Sequence, residues 1–117
     1  MIDSVKIAKA LSDPIRYRIM LMLAQSEGGC CPLPGENDRR PGLCNCELMA
    51  DLGLIQSRVS YHMKELADAG LVTEEPRGKW KIYFINTETL RLYIRLLEKD
   101  FALQGETDSI RIFRDDS

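Results

Sequence analysis

The chain has 117 residues, 44% of them apolar and 29% charged, the composition of a soluble globular domain with one modest core. No apolar run approaches the ~20 residues that span a bilayer, and the opening Met1-Ile-Asp-Ser-Val-Lys lacks the basic and apolar blocks of a signal peptide, so a cytoplasmic location without membrane contact is expected. The net charge of −2 excludes a uniformly basic nucleic-acid binder, and any DNA contact has to use a local basic surface.

Ser4 to Leu11 reads as a short helix with apolar Val5, Ile7, Ala8 and Leu11. Asp13 is placed to cap a second helix and Pro14 suits its first turn, where no N–H is needed. That helix reaches about Gln25, with Ile15, Ile19, Met22 and Leu23 at helical spacing. Residues 27–42 are rich in glycine and proline, which predicts a long loop, and they carry adjacent Cys30 and Cys31. Helical pattern resumes at Leu43 and runs to Leu52, and Gly53 makes a turn. A further helix from Gln56 to Ala69 sets Val59, Met63 and Leu66 on one face, and Gly70 closes it. Two helices joined by a tight glycine turn form a helix-turn-helix.

Leu71 to Glu75 and Trp80 to Ile85 read as strands around a turn at Pro76-Arg77-Gly78-Lys79, a hairpin directly after the second helix of the unit. Thr87 is placed to cap a last helix with Leu90, Ile94, Leu97 and Phe101 on one row and Leu92, Leu96 and Leu103 on another. One core cannot use both rows, so a dimer seam is expected. The fold class is therefore mainly α with a small β-hairpin, a winged helix-turn-helix homodimer. Residues 1–103 form the DNA-binding and dimerisation domain, and the polar tail 104–117 is expected to be poorly ordered.

Four cysteines in a reducing compartment point to metal or redox chemistry rather than structural disulfides. Soft thiolates select soft ions. Cys44 and Cys46 stand near a helix N-terminus, where the positive end of the dipole favours the thiolate. Residues two apart do not share a face of a regular helix. Both can hold one ion only where the local backbone is non-helical or becomes so as the site closes; otherwise they are buried cysteines serving as small apolar residues. Cys30 and Cys31 could complete an ion site, form a redox pair or stand exposed. A zinc site of all four lacks the usual Cys-x₂₋₄-Cys pairs, and a histidine-based metal site within one chain is excluded because His62 is the only histidine. A thiol enzyme is disfavoured: there is no Cys-x-x-Cys, no nucleophile–base pair and no loop for an organic cofactor.

This order of elements, from Val5 to Phe101, resembles the ArsR/SmtB family of metal-sensing repressors. "ALSDPIRYRIMLML" is similar to the family's opening helices, "SRVSYHMKELADAGLV" to its recognition helix, and "RGKWKIYFI" to its wing. "LCNCELMADL" resembles the Cys-x-Cys-Asp/Glu-Leu signature of the arsenic-responsive branch. The resemblance implies a dimeric repressor of double-stranded operator DNA that dissociates when As(III), or Sb(III), binds Cys44 and Cys46 as thiolates. As(III) takes three sulfurs in a pyramid. The branch carries a third cysteine where this chain has Met49, whose thioether is a poor replacement, so Cys30 or Cys31 is expected to supply the third thiolate. No His/Asp ligand set of the zinc-sensing kind is seen on the last helix. The alternative is a regulator of the same fold answering thiol oxidation or Cd, Pb or Zn ions.

For DNA, the recognition helix offers Gln56, Ser57, Arg58, Ser60, Tyr61, His62 and Lys64. Arg and Gln suit bidentate base contacts, Ser and Lys suit phosphates. His62 occupies the family's Ser-x-His position, which implies a phosphate contact; a packed structural role is the other reading. Ile55 departs from the Ser or Thr common before this helix. Arg77, Lys79 and Lys81 on the wing are placed for the minor groove or flanking phosphates, Trp80 and Phe84 read as core, and Glu74 and Glu75 would oppose DNA if they faced it.

Overall fold

The computed structural model describes residues 2–26, 42–78 and 80–103. In chain order these form α1 (Ser4–Leu11), α2 (Pro14–Gln25), β1 (Gly42–Cys44), α3 (Asn45–Leu52), α4 (Gln56–Asp68), β2 (Val72–Arg77), β3 (Trp80–Ile85) and α5 (Thr87–Asp100). Cys30, Cys31, Lys79 and the tail from 104 onward lie outside the described residues.

Local chemistry explains the helix boundaries. Asp3 caps α1 by accepting from the N–H groups of Val5 and Lys6, each at 3.1 Å. Asp13 caps α2 by accepting from Ile15 at 2.8 Å and Arg16 at 3.1 Å, with Pro14 in the first turn. Burial works against the Asp13 carboxylate, but the Arg16 and Ile15 N–H bonds and the Arg16 charge outweigh it and hold its pKa below the usual carboxylate value. Its stabilisation is therefore present at neutral pH and lost as the pH falls through the lowered pKa. Asp13→Ala is expected to lower the unfolding free energy by about 1–2 kcal/mol at pH 7. The gap between variant and parent in urea midpoint should close under acid, when both carry an uncharged residue at the cap.

α3 ends at Gly53, whose φ of +67° lets its N–H turn back to the Met49 carbonyl at 2.9 Å. Three residues later α4 begins, which sets the two helices as a helix-turn-helix. The α4 N-terminus has no side-chain cap, because Ile55 fills that position. α5 differs from expectation at its start: Asn86 is the cap, accepting from the Thr89 N–H at 3.3 Å, and Thr87 is the first helical residue. Its side-chain amide oxygen accepts from the N–H at the N3 position, as an N-cap does.

The wing is a three-stranded antiparallel sheet in the order β1-β3-β2. β2 and β3 pair from Val72↔Ile85 to Arg77↔Trp80, so the strand continues through Pro76 and Arg77, where sequence suggested a turn. β2 is an edge strand, and an edge tolerates the missing N–H of Pro76. β1 corrects a second expectation. Gly42, Leu43 and Cys44 are neither loop nor helix but a strand paired with Phe84, Tyr83 and Ile82. Glycine is required at its start, since a Cβ on Gly42 would fall 2.6 Å from the Phe84 ring and 2.9 Å from the Tyr83 carbonyl oxygen.

The main core joins Ile7 of α1, Ile19 and Leu23 of α2, Leu48 of α3, Val59, Met63 and Leu66 of α4, and Leu71 beside the sheet. A second, smaller cluster holds Cys44, Ile82 and Phe84, with Cys46 packed against it. α5 buries only Thr89 fully, while Leu92, Ile94 and, just past its end, Phe101 and Leu103 are exposed. Among the described residues no helix is long and apolar enough to cross a membrane.

Candidate functional site

The thiols of Cys44 and Cys46 sit where β1 turns into α3. Cys44 ends the strand opposite Ile82 and is also the helix N-cap, with an extended backbone at φ −85° and ψ 162°. Cys46 lies in the first helical turn. This break from extended to helical geometry does what a regular helix cannot: it puts the two Cα atoms 5.4 Å apart with the sulfurs meeting. Contrary to the expectation that the cysteines stay unpaired, the two are joined as a disulfide. In the reduced state the same geometry aims two thiols at one point. Cys44 is 1% exposed and Cys46 half-buried, within the cluster of Ile82 and Phe84. Glu47 follows in the first turn of α3 with one carboxylate oxygen buried and, among the described residues, unpartnered. Met49 packs on the main core. Among the described residues no three His, Cys, Asp or Glu side chains converge as an ion site; they bring two thiols together and not a third. Cys30 and Cys31, expected to provide it, fall outside the described residues.

The same junction touches both parts of the candidate DNA-reading surface. β1 is paired to the wing strand β3, and α3 supports α4. On α4, Val59, His62, Met63 and Leu66 face inward, and Gln56, Ser57, Arg58, Ser60, Tyr61 and Lys64 are exposed. At about 100° per residue, Ser57, Tyr61 and Lys64 centre the outward face. Gln56 and Ser60 flank it on one side and Arg58 on the other. Lys64 donates to Asp68 at 2.9 Å along the helix. Ile55 is 67% exposed at the head of α4, an apolar group on the candidate surface.

The wing neutralises much of its own charge. Arg77 donates to Glu75 at 3.2 Å, and Lys81 lies 3.2 Å from Glu74. The two acidic residues that would oppose DNA are thus engaged with the wing's basic residues. Phe84 is buried, as expected of a core residue.

His62 corrects the phosphate-contact expectation. It is 3% exposed, because its position three residues after Val59 and four before Leu66 puts it on the inner stripe of α4. Its Nδ1 lies 3.2 Å from Nη1 of Arg16. Arg16 also donates from Nε to the Ala10 carbonyl at 2.9 Å and stands 4.0 Å from Asp13. Sequence reading passed over Arg16; a cation beside Ile15 and Ile19 on the inner face of α2 was the signal that could have found it.

Residues 38–74 match the family described as bacterial regulatory protein, arsR family. The chain is 38% identical over 104 residues to the arsenical resistance operon repressor of Bacillus subtilis (strain 168), covering 86% of this chain and 83% of that protein. It is 30% identical over 108 residues to the cadmium resistance transcriptional regulatory protein CadC homolog of Staphylococcus aureus, covering 92% and 75%. The fold is similar to that of the homodimeric winged helix-turn-helix DNA-binding domain from Mycobacterium bovis, with a TM-score of 0.58 at 20% identity, covering 87% of this chain and 82% of that one.

Proposed function

Because the chain belongs to the ArsR family of bacterial regulatory proteins, we propose that it represses transcription by binding operator DNA as a homodimer and dissociates when As(III) binds its cysteine thiolates. The family comprises DNA-binding transcriptional regulators, not enzymes. The observation that carries the effector reading is the meeting of the Cys44 and Cys46 sulfurs at the β1–α3 junction. As(III) bonds covalently to three sulfurs and keeps a lone pair, so two converging thiols and a third from Cys30 or Cys31 satisfy it. An arsenical resistance repressor among the relatives supports this effector class. The junction gives the ion mechanical purchase: closing a three-sulfur site strains the start of α3, which packs on α4, and pulls on β1, which is bonded to the wing. Release follows if the ion binds the free dimer more tightly than the DNA-bound one; moving a population from 1:99 to 99:1 takes about 5.5 kcal/mol of such preference.

The dimer reading rests on the α5 face. Leu92, Ile94, Phe101 and Leu103 are exposed there, with Val5 on α1 at 69% exposure. Two copies joined through these helices would set their α4 helices about 34 Å apart, one turn of DNA.

X-ray absorption on the arsenite complex tests the ligand set. Three As–S bonds are expected in the parent and two in the variant Cys30→Ser, Cys31→Ser; three in both would place the third sulfur elsewhere. On the DNA side, Gln56→Ala is expected to weaken binding to a matched duplex by about 1–3 kcal/mol if it reads a base. Lys64→Ala should instead flatten the dependence of log K on log salt by about 0.9. Unchanged values for both would put the DNA on another face.

The Cys44–Cys46 disulfide favours a second reading, in which a hydroperoxide oxidises the two thiols, giving the disulfide, an alcohol and water. Excess reductant separates the readings, since it blocks oxidation and leaves metalloid binding intact. Sb(III), Cd(II), Pb(II) and Zn(II) are tested as competitors in the same titration.

A further inference from the structure

The buried contact between α2 and the recognition helix has no part in the thiol site. Arg16 of α2, with an 11% exposed side chain, bridges three helices: its Nε donates to the Ala10 carbonyl in the last turn of α1, and its Nη1 meets His62 Nδ1 of α4. Asp13 beside it caps α2. A guanidinium only donates, so Nδ1 is the acceptor and the ring proton sits on Nε2. Nε2 is itself buried without a partner among the described residues. A buried N–H left unsatisfied costs about 1–3 kcal/mol; an apolar residue would avoid that cost but would offer Arg16 no acceptor. The ring also meets that of Tyr61 in a T-shaped arrangement, with centroids 5.1 Å apart and planes at 64°. Tyr61 is 55% exposed on the outward face of α4.

We propose that His62 and Arg16 are positioning residues for DNA recognition: their hydrogen bond fixes the rotation of α4 against the α1–α2 corner and, through the ring contact, the direction of Tyr61. The proposal rests on the DNA-binding reading above. It replaces a direct DNA role for His62 with an indirect one that acts on base discrimination more than on overall affinity, because phosphate contacts elsewhere are untouched.

The charged groups around the ring are Asp13 before α2, Arg16 on α2, and Arg58 and Glu65 on α4. Burial, with Arg16 and Arg58, favours the neutral ring, and Asp13 and Glu65 oppose them; the balance holds its pKa below the ordinary 6.5. A proton on Nδ1 would break the bond and set a second cation against the guanidinium. The sign follows: a neutral buried ring stabilises the fold fully above pH 6.5, and this contribution is lost as the pH falls below the value at which the unfolded histidine takes its proton.

The probe is a duplex that the protein selects from a random-sequence pool, compared with an unrelated duplex of equal length at a temperature where circular dichroism shows each variant fully folded. If the parent selects no duplex, the DNA-binding reading itself fails. If it does, His62→Leu is expected to lower the ratio of selected to unrelated affinity about tenfold or more, and His62→Gln, whose amide oxygen still accepts from Arg16, to stay within about twofold of the parent. Arg16→Met removes the donor and should lower the ratio as His62→Leu does; it decides the matter alone should His62→Leu not fold. An unchanged ratio in a folded His62→Leu or Arg16→Met overturns the proposal. Parent stability should fall more steeply than that of His62→Gln below about pH 6.5. Identical slopes would mean a charged ring in the folded state, and the proposal would fail on that ground too.

Discussion

Ile94→Glu is expected to convert the protein to a monomer at micromolar concentration and to lower its affinity for a two-site operator by about 10²–10⁴, the range over which linked sites exceed single ones. The reason lies in α5. A fourteen-residue helix whose only buried residue is Thr89 packs Leu90 and Tyr93 on the core and leaves Leu92 and Ile94 to solvent in a single chain. Ile94 is 54% exposed there, and Phe101, 71% exposed, lies seven residues on along the same row. A carboxylate at position 94 would be taken out of water by the partner helix, a large cost. The isolated fold is barely touched, because Ile94 makes no part of either core cluster. Sedimentation and thermal unfolding together check this. A variant that remains a dimer would show that the exposed α5 row is not the seam.

Cys44→Ser and Cys46→Ser are each expected to abolish the response to arsenite while leaving DNA binding intact. Serine keeps the size of the side chain but supplies no thiolate, and As(III) held by fewer than three sulfurs no longer closes the site. Couplings between effector and ligand sites usually span 5–150-fold in affinity. The parent's loss of DNA affinity on adding arsenite should lie in that range and shrink to nothing in either variant. Cys44→Ser carries a further signature. Cys44 is fully buried opposite Ile82, so placing a hydroxyl there should lower the melting temperature more than the same change at half-buried Cys46. A normal arsenite response in either variant would remove the sensor from this junction.

The elements that the sequence announced most clearly were those bounded by strong local chemistry. Asp13-Pro14 and Gly53 mark their boundaries as expected, and the stripe of Val59, Met63 and Leu66 is buried as its spacing requires. What sequence could not show came from pairing over distance. Nothing local in Gly42-Leu43-Cys44 says strand; those residues are extended because β3 offers a free edge some forty residues later. The meeting of Cys44 and Cys46 was legible only as a condition, that the backbone there be non-helical, and β1 is the element that meets it. His62 was misplaced for a related reason. Its Ser-x-His position implies a phosphate contact, with a packed structural role as the other reading; the deciding fact is its burial beside Arg16, forty-six residues away. The ion pairs of the wing, Lys81 with Glu74 across the strands and Arg77 with Glu75 along β2, likewise follow from the register of the hairpin and not from any local pattern.

The central claim is that a metalloid held by thiols at the β1–α3 junction drives the dimer off DNA. Fluorescence anisotropy of a labelled, selected duplex bound by the full chain, titrated with arsenite under excess reductant, tests it most directly. The account predicts loss of anisotropy that saturates at one As(III) per protomer and is reversed by a competing dithiol. A complex that stays bound at saturating arsenite, with the metalloid shown to be on the protein, would contradict it.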